Sequence, residues 1–285
     1  MAAAFLMPVL LLAAGYLLML RGRRRPPDAG DFSGWVFAHR GCYDPTGAAP
    51  VPENSCAAFR LAREKGRGVE LDVHLLADGG LAVLHDSDLS RMTGRAGTVE
   101  ALTAGQLADC HLAGTGETIP LLGQVLDILG GQVPMILELK TKGDNAAALC
   151  SAVCDALADY AGPYCMESFD PRVVLWLRRH RPDILRGQLA KKMTPAGRPR
   201  WLGRLVAFCG SFLVANCVTR PDFIAYQYAD RGNLSNRLCL RVWGMQGVSW
   251  TLHNQQELDT ARREGLWPIY EGFEPDEETG GEPHV

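Results

Sequence analysis

Short apolar runs recur along the chain from residue 35 onward, and most of them are separated by stretches whose apolar positions repeat with a helical period. This alternation is typical of a mostly parallel β-sheet covered by helices. Nine runs are predicted to be strands: residues 35–39, 69–74, 81–85, 134–140, 164–169, 185–189, 223–228, 248–252 and 268–270.

The second and third runs are joined by residues 75–80 alone. A parallel crossover needs about a dozen residues or more, so these runs are predicted to form an antiparallel hairpin that turns at Asp78 and Gly79. That register places Asp72 opposite His85, within a residue or two. Removing the return arm leaves eight parallel strands, the number that closes a barrel. The sequence therefore predicts an α/β fold, a (β/α)8 TIM barrel.

The N-terminal segment is apolar and then basic. Residues 2–20 contain no charged side chain, and arginines follow at positions 21, 23, 24 and 25. Nineteen such residues are about the length of a helix that crosses a hydrocarbon core of roughly 30 Å. Because a positive flank stays in the cytoplasm, residues 1–30 are predicted to be a single-pass transmembrane anchor and basic linker in the cell membrane, with a cytoplasmic barrel domain at 31–285. A cleaved signal peptide is the alternative.

Composition narrows the class of protein. The 285 residues are 47% hydrophobic and 21% charged, which excludes a disordered or collagen-like chain. The 32 acidic side chains outnumber the 29 basic ones, and no basic stripe lies outside the N-terminal cluster, so nucleic acid is not an expected partner. The nine cysteines form no Cys-x-x-Cys pair, which favours a reducing compartment.

Ionisable side chains gather at the ends of the predicted strands, where a barrel of this type builds its active site. Residues two apart on a strand share a face, so the Glu70 and Asp72 side chains point to the same side of the sheet, as do those of Glu138 and Lys140. If that face is the barrel interior, three carboxylates and one cation lie together at the carboxyl-terminal opening of the barrel, here called its mouth. The full strand-end set is His39, Arg40, Glu70, Asp72, His85, Glu138 and Lys140.

These residue types indicate metal-assisted phosphoryl chemistry. Three carboxylates without a dense set of His or Cys ligands favour one hard divalent cation, Ca²⁺ or Mg²⁺. Arg40 and Lys140 supply positive charge for an anionic substrate, the former through a planar fork suited to phosphate. Two imidazoles can share the general base and general acid roles near neutral pH.

Seven short motifs follow one another in order between about residues 37 and 251. They are His39-Arg40-Gly41, Pro52-Glu53-Asn54-Ser55, Glu70-Leu71-Asp72-Val73-His74, His85-Asp86, Glu138-Leu139-Lys140, Ser168-Phe169 and Trp250-Thr251. The ordered set resembles the motifs of the glycerophosphodiester phosphodiesterases. This resemblance implies a barrel with a small insertion after the second strand, here about residues 75–118.

The resemblance also implies a reaction. Family members cleave a glycerophosphodiester into glycerol phosphate and an alcohol; the neighbouring glycerol hydroxyl attacks phosphorus, and water opens the resulting cyclic phosphate. The implied roles are acid/base catalysis for His39 and His85, metal ligation for Glu70, Asp72 and Glu138, and phosphate contact for Arg40 and Lys140. His85 is an alternative metal ligand, and Trp250 is a wall over the glycerol or part of the barrel core.

Three functional interpretations stay open from the sequence. The leading one is metal-dependent hydrolysis of small glycerophosphodiesters to glycerol 3-phosphate and an alcohol. The second is a lysophospholipase D that acts on membrane lysophospholipids, and the third is an inactive, membrane-tethered binding barrel. The intact set of two imidazoles and three carboxylates argues against the third.

Two segments differ from the expected pattern. Residues 201–218 are more apolar than the other predicted barrel helices and carry one charge, Arg204. This segment is predicted to be an outer-ring helix or a stretch that rests on lipid beside the mouth, because Arg198, Arg200 and Trp201 at its entry suit a lipid interface. Residues 267–273 depart from the Gly-Ile-Thr-Asp type of final strand that many family members carry.

Overall fold

Among the residues that the structure describes, nine strands form one sheet, and eight of them close a parallel barrel. The computed structural model describes residues 2–47, 49–194 and 200–276. The strands are β1 (Phe37–His39), β2 (Gly68–Leu75), β3 (Leu81–Val83), β4 (Met135–Leu139), β5 (Tyr164–Ser168), β6 (Arg186–Ala190), β7 (Phe223–Gln227), β8 (Gln246–Leu252) and β9 (Trp267–Tyr270). Strand β1 pairs in parallel with both β2 and β9, which closes the ring. The predicted α/β class and TIM barrel are confirmed, and each predicted run overlaps a strand.

Strand β3 is the return arm of the predicted hairpin and pairs antiparallel with β2. Its register differs by one residue from the prediction, because His74 pairs with Ala82 and Asp72 therefore lies opposite Leu84 rather than His85. The turn causes the difference: the Leu76 N–H donates to the Gly80 carbonyl at 2.8 Å, so the turn is centred on a single residue.

Helices cover the outside of the barrel. Within the described residues they are α1 (Ala2–Leu20), α2 (Cys56–Glu64), α3 (Ser90–Thr93), α4 (Leu122–Leu129), α5 (Ala146–Ala156), α6 (Pro171–His180), α7 (Arg200–Ser211), α8 (Asn216–Thr219), α9 (Leu234–Arg241) and α10 (Gln255–Arg263). Ser55 caps the beginning of α2, because its hydroxyl accepts a hydrogen bond from the Ala58 N–H at 3.1 Å.

Alternate side chains of each strand face the barrel interior, and their character changes from one end to the other. On β4, Ile136 belongs to an apolar cluster, and Glu138 and Lys140 follow two and four residues later on the same face. The apolar cluster fills the base of the barrel with Phe37, Ile136, Cys165, Phe223, Ala225, Val248, Trp267 and Ile269. Charged side chains therefore lie at the carboxyl ends of the strands.

The chain between β2 and β4 packs around an apolar cluster of its own. Its buried members include Leu76, Leu84, Leu89, Met92, Val99, Leu107, Leu112 and Ile119. All of them except Ile119, which follows directly, belong to the stretch of residues 75–118 that the sequence assigns to the insertion. The cluster holds this stretch over one side of the barrel mouth.

The last turns of α1 pack against the barrel wall. Leu20 is fully buried, and its carbonyl accepts from the Asn216 side-chain amide at 3.3 Å. The Trp243 indole donates to the Leu17 carbonyl at 2.8 Å. Among the described residues, no helix is both long enough and apolar enough to cross a membrane, so the transmembrane anchor predicted for residues 2–20 has no support there. The C-terminal part of the predicted span packs against the barrel instead.

The apolar stretch after β6 forms α7 and α8. Ala207 and Leu213 are buried, whereas Trp201 is 70% exposed. Arg198 of the predicted entry lies outside the described residues, as does the side chain of Arg200. The segment is therefore an outer helix of the barrel that keeps part of its apolar surface uncovered.

Candidate active site

A cavity of about 470 Å³ opens at the carboxyl ends of the parallel strands. A neighbouring cavity of about 770 Å³ shares His85, Glu138 and Phe169 with it and reaches toward Lys140. The lining of the first includes His39, Arg40, Glu70, His85, Glu138, Glu167, Phe169, Trp250 and Glu271. The structure thus brings the predicted strand-end residues together around one opening.

Three carboxylates form a compact cluster at the floor of this cavity. Glu70, Asp72 and Glu138 are all buried, and each offers an oxygen within 4.8 Å of the others. Asn54 holds Asp72, because its side-chain amide donates to the carboxylate at 2.9 Å. Asn54 itself has a left-handed φ of 53°, a backbone conformation that asparagine tolerates better than most residues.

The electrostatics of the cluster favour a bound cation. Burial raises the pKa of Glu70 well above its ordinary value, and the neighbouring carboxylates raise it further. Burial likewise raises the pKa of Glu138, although Lys140 opposes it. Burial alone would raise the pKa of Asp72, but nearby cations, Lys140 first, outweigh it and hold that pKa well below its usual range. Closely packed hard oxygen donors of this kind fit Ca²⁺ or Mg²⁺.

Lys140 and Arg40 bring positive charge to the cluster. The Lys140 Nζ lies 2.9 Å from Asp72 and 2.8 Å from Glu138. The Arg40 guanidinium donates to Glu53 at 2.8 Å and lies 3.8 Å from Asp72. Both cations therefore lie at the cavity linings and offset part of the carboxylate charge.

Two histidines flank the cluster, and each ring is held by a carboxylate. The His39 Nδ1 is hydrogen-bonded to Glu271, and its Nε2 lies 3.8 Å from Glu70. The His85 Nδ1 is 2.7 Å from Asp86. Burial lowers the pKa of His85, although the Asp72 charge opposes this shift. A carboxylate on Nδ1 directs the other ring nitrogen toward the cavity, the orientation that proton transfer requires.

Trp250 lies at the cavity wall. Its ring meets the edge of Phe169 with the centroids 5.8 Å apart and the planes at 85°. Both side chains line the cavity. The structure therefore places Trp250 at the cavity wall, and the ring also packs against the core at the base of the barrel.

Sequence reasoning missed three residues of the site. Glu271 comes directly after the last strand, two positions beyond the inward-facing Ile269, so the alternation rule would have found it. Glu167 follows Cys165 in the same way on β5, and burial raises its pKa well above the ordinary value. Asn54 belongs to the Pro52-Glu53-Asn54-Ser55 motif, but its contact with Asp72 depends on the folded backbone and is not visible in the sequence.

The comparisons with known proteins agree with this geometry. The model of the glycerophosphoryl diester phosphodiesterase family matches residues 39–269. The chain belongs to this family. The matched range begins at His39 and includes every strand-end residue that the sequence singled out.

Named relatives of the phosphodiesterase family match to different extents. Glycerophosphodiester phosphodiesterase 1 of Rattus norvegicus is 30% identical over 268 residues, which cover 78% of this chain and 72% of the rat protein. A glycerophosphodiester phosphodiesterase of Bacillus altitudinis is 38% identical over 114 residues, 38% of this chain. That match spans 44% of the Bacillus protein, less than half of its length.

Solved structures of the phosphodiesterase family share the barrel. An Oleispira antarctica phosphodiesterase, solved in complex with its product sn-glycerol-3-phosphate, has a TM-score of 0.65 at 23% identity and covers 85% of this chain and 94% of its own. A Thermotoga maritima glycerophosphodiester phosphodiesterase has a TM-score of 0.60 at 24% identity, with 82% and 93% covered. At these identities the likeness shows the fold.

Proposed function

We propose that this chain hydrolyses glycerophosphodiesters to glycerol 3-phosphate and an alcohol, with one divalent cation at Glu70, Asp72 and Glu138. The observation that carries the proposal is the placement of two carboxylate-held imidazoles, His39 and His85, beside the buried carboxylate cluster. Family membership supports the same reaction class. The inactive binding barrel is disfavoured because each of these side chains is held in a chemically useful position.

The cation-binding carboxylates and the two basic side chains would position the phosphodiester. A bound divalent cation neutralises phosphoryl charge and lowers the pKa of a hydroxyl beside it. Glu70, Asp72 and Glu138 would hold that cation, and either Ca²⁺ or Mg²⁺ suits their oxygen atoms. Arg40 lines the first cavity and Lys140 lines the neighbouring one, and both side chains would contact phosphoryl oxygens.

The histidines would divide the proton transfers. One imidazole accepts the proton of the attacking hydroxyl, and the other donates a proton to the oxygen of the leaving alcohol. Glu271 and Asp86 each hold one ring by its Nδ1, so in both cases the Nε2 is the atom available for transfer. A second pair of transfers with water in place of the alcohol would open a cyclic phosphate.

We also propose that the protein associates with the cell membrane through α1 and that the barrel lies on the cytoplasmic side. Met7, Val9, Leu10, Leu11 and Leu12 are each more than half exposed. Arginines follow the helix on its C-terminal side, which is the arrangement of a cytoplasmic flank. This exposed apolar surface favours lysophospholipids as a second candidate substrate.

A substrate panel with and without chelator tests these proposals. Glycerophosphocholine, glycerophosphoethanolamine and lysophosphatidylcholine would be offered to the full chain, and glycerol 3-phosphate or lysophosphatidic acid would be measured. We expect turnover of at least one substrate that excess EDTA abolishes and that Ca²⁺ or Mg²⁺ restores. Absence of turnover on all three with either metal would contradict the proposed activity.

A further inference from the structure

The direction of α1 relative to the barrel follows from two contacts with α9. The Tyr16 hydroxyl lies 2.5 Å from the Ser235 hydroxyl, and the Leu20 carbonyl accepts from the Cys239 Sγ at 3.5 Å. Each partner lies four residues further along its own helix. Helices α1 and α9 therefore run side by side in the same direction.

This direction places the beginning of α1 at the catalytic end of the barrel. Helix α9 follows β7, and Tyr228 and Ala229 between them line the active-site cavity. Ser235, the partner of Tyr16, lies in the first turn of α9, near that end. Residues 2–15 precede Tyr16 and extend past it by about 21 Å at 1.5 Å per residue. The projecting half of α1 is therefore on the same side as the mouth.

The projecting half is apolar around its whole circumference. Val9, Leu10, Leu11 and Leu12 are 60%, 56%, 66% and 75% exposed. Consecutive residues of a helix are about 100° apart, so these four side chains point in all directions. A protein partner covers one face of a helix, whereas lipid surrounds it. The chemistry of this segment therefore selects a lipid surface as its occupant.

Helix α7 presents a second apolar surface at the same end. Trp201, Leu205 and Phe208 are 70%, 51% and 52% exposed. The backbone carbonyl of Ser211, the last residue of α7, accepts a hydrogen bond from the Tyr226 hydroxyl at 2.9 Å, next to the carboxyl end of β7. Arg204 is exposed on this helix, and a cation beside an indole ring matches anionic lipid head groups.

We propose that the catalytic mouth faces the lipid bilayer, with the projecting half of α1 and the exposed face of α7 inserted on the β6–β7 side of the opening. This inference rests on the proposed membrane association and adds its orientation. A glycerophosphodiester carried by a lipid would then enter the cavity head group first from the bilayer surface. The opposite end of the barrel would face the aqueous phase.

The test compares two charge-introducing double variants of the full chain that match in exposure and differ in position. Leu205→Asp with Phe208→Asp lies at the mouth end, where these residues are 51% and 52% exposed. Val218→Asp with Val242→Asp lies at the C-terminal ends of α8 and α9, away from the mouth, where these residues are 48% and 55% exposed. Binding to vesicles of phosphatidylcholine and phosphatidylglycerol would be measured by flotation.

We expect vesicle binding of the mouth-end variant to fall about tenfold or more, because that is about the loss in affinity when a Leu or Phe side chain is no longer buried in lipid. The far-end variant should bind like the parent. Equal binding by both variants, or a loss at the far end alone, would overturn the orientation. Turnover of soluble glycerophosphocholine should be retained by both variants, which reports the proposed activity separately. Wild-type protein that fails to float would overturn membrane docking.

A second measurement does not depend on variant folding. Brominated phosphatidylcholine in the vesicles should quench the fluorescence of the parent chain, and Trp201→Phe should remove most of that quenching although five of the six tryptophans remain. Quenching that is unchanged in Trp201→Phe would contradict insertion of α7.

Discussion

At the scale of single residues, the active site depends on carboxylates that hold the imidazoles. Glu271 contacts His39 at Nδ1 and also accepts from the Tyr43 hydroxyl at 3.3 Å. Burial alone would raise the pKa of Glu271, but the hydrogen bond from His39 and the electrostatic attraction of His39, Arg40 and His253 together outweigh burial and lower the pKa to about 2. Glu271 is therefore ionised throughout the neutral range and fixes both the tautomer and the orientation of His39.

Glu271→Gln should lower kcat about 10- to 100-fold with little change in KM, because the amide neither fixes the tautomer nor stabilises the protonated ring. Steady-state kinetics on glycerophosphocholine checks this. Glu274→Gln is the matched control, since Glu274 lies three residues away, pairs with Lys65 and Arg67 and does not line the active-site cavity. Equal kinetics for the Glu271 variant and its control would contradict the positioning role.

The imidazoles themselves should contribute at least as much to turnover as Glu271 does. His39→Ala and His85→Ala are each expected to lower turnover by about 10² or more, the usual contribution of a positioned acid or base. Circular dichroism would establish that each variant is folded. A near-normal rate in either variant would show that its proton transfer is assigned to the wrong residue.

Replacement of a carboxylate ligand should separate function from stability. Glu138→Gln is expected to abolish turnover, while the thermal midpoint of the metal-free protein stays within about 4 °C because one of several crowded carboxylates loses its charge. Differential scanning calorimetry and the activity assay measure the two effects. Glu64→Gln on the exposed face of α2 is the control for the substitution itself. A large drop in the midpoint would indicate that Glu138 is mainly structural.

At the scale of elements, one carboxylate joins the insertion to the barrel. Glu100 lies 2.9 Å from the His74 Nδ1 on β2 and accepts from the Ser87 hydroxyl at 2.8 Å. Burial alone would raise its pKa, but the hydrogen bonds, that of His74 first, lower the pKa to about 2. Because the pKa in the folded state is lowered, the stabilisation is present above the ordinary carboxyl pKa and is lost as the pH falls toward 2.

Glu100→Gln should therefore destabilise the protein in a pH-dependent way. We expect a loss of about 2 kcal/mol in the free energy of unfolding at pH 7, the size of a buried hydrogen bond to a charged group. The difference from wild type should shrink below about pH 4.5 and disappear near pH 2. Urea unfolding at several pH values measures it. A difference that is constant with pH would contradict the charge-based account.

The strands could be predicted from the sequence because each is a short apolar run with charged residues at one end. The hairpin was predicted from its six-residue connection, and its register differs by one residue from the central pairing, within the range that the sequence allowed. The sequence left that range open because nearly every position of both strands is buried, so a one-residue slip exposes no apolar face. The last strand was predicted, whereas Glu271, the partner of His39 directly after that strand, was not. That contact joins positions 232 residues apart, and local periodicity does not encode such a pairing.

At the scale of the whole molecule, the barrel separates an apolar base from a charged mouth. The charged motifs on the strands predict this separation, because they lie toward the carboxyl ends of parallel strands and all parallel strands end at one side. The position of α1 could not be predicted in the same way. The composition of α1 indicates an apolar environment. Tyr16 and Leu20 pack in such an environment on the barrel wall, which only the tertiary structure shows.

The central claim is that a divalent cation at the carboxylate cluster is required for phosphodiester hydrolysis. The direct measurement titrates chelator-stripped protein with Ca²⁺ or Mg²⁺ and follows heat of binding and turnover of glycerophosphocholine in parallel, with Asp72→Asn as the comparison. The account predicts one equivalent of bound metal, turnover that rises in step with occupancy, and neither in the Asp72 variant. Full turnover by the stripped protein before any metal is added would contradict it.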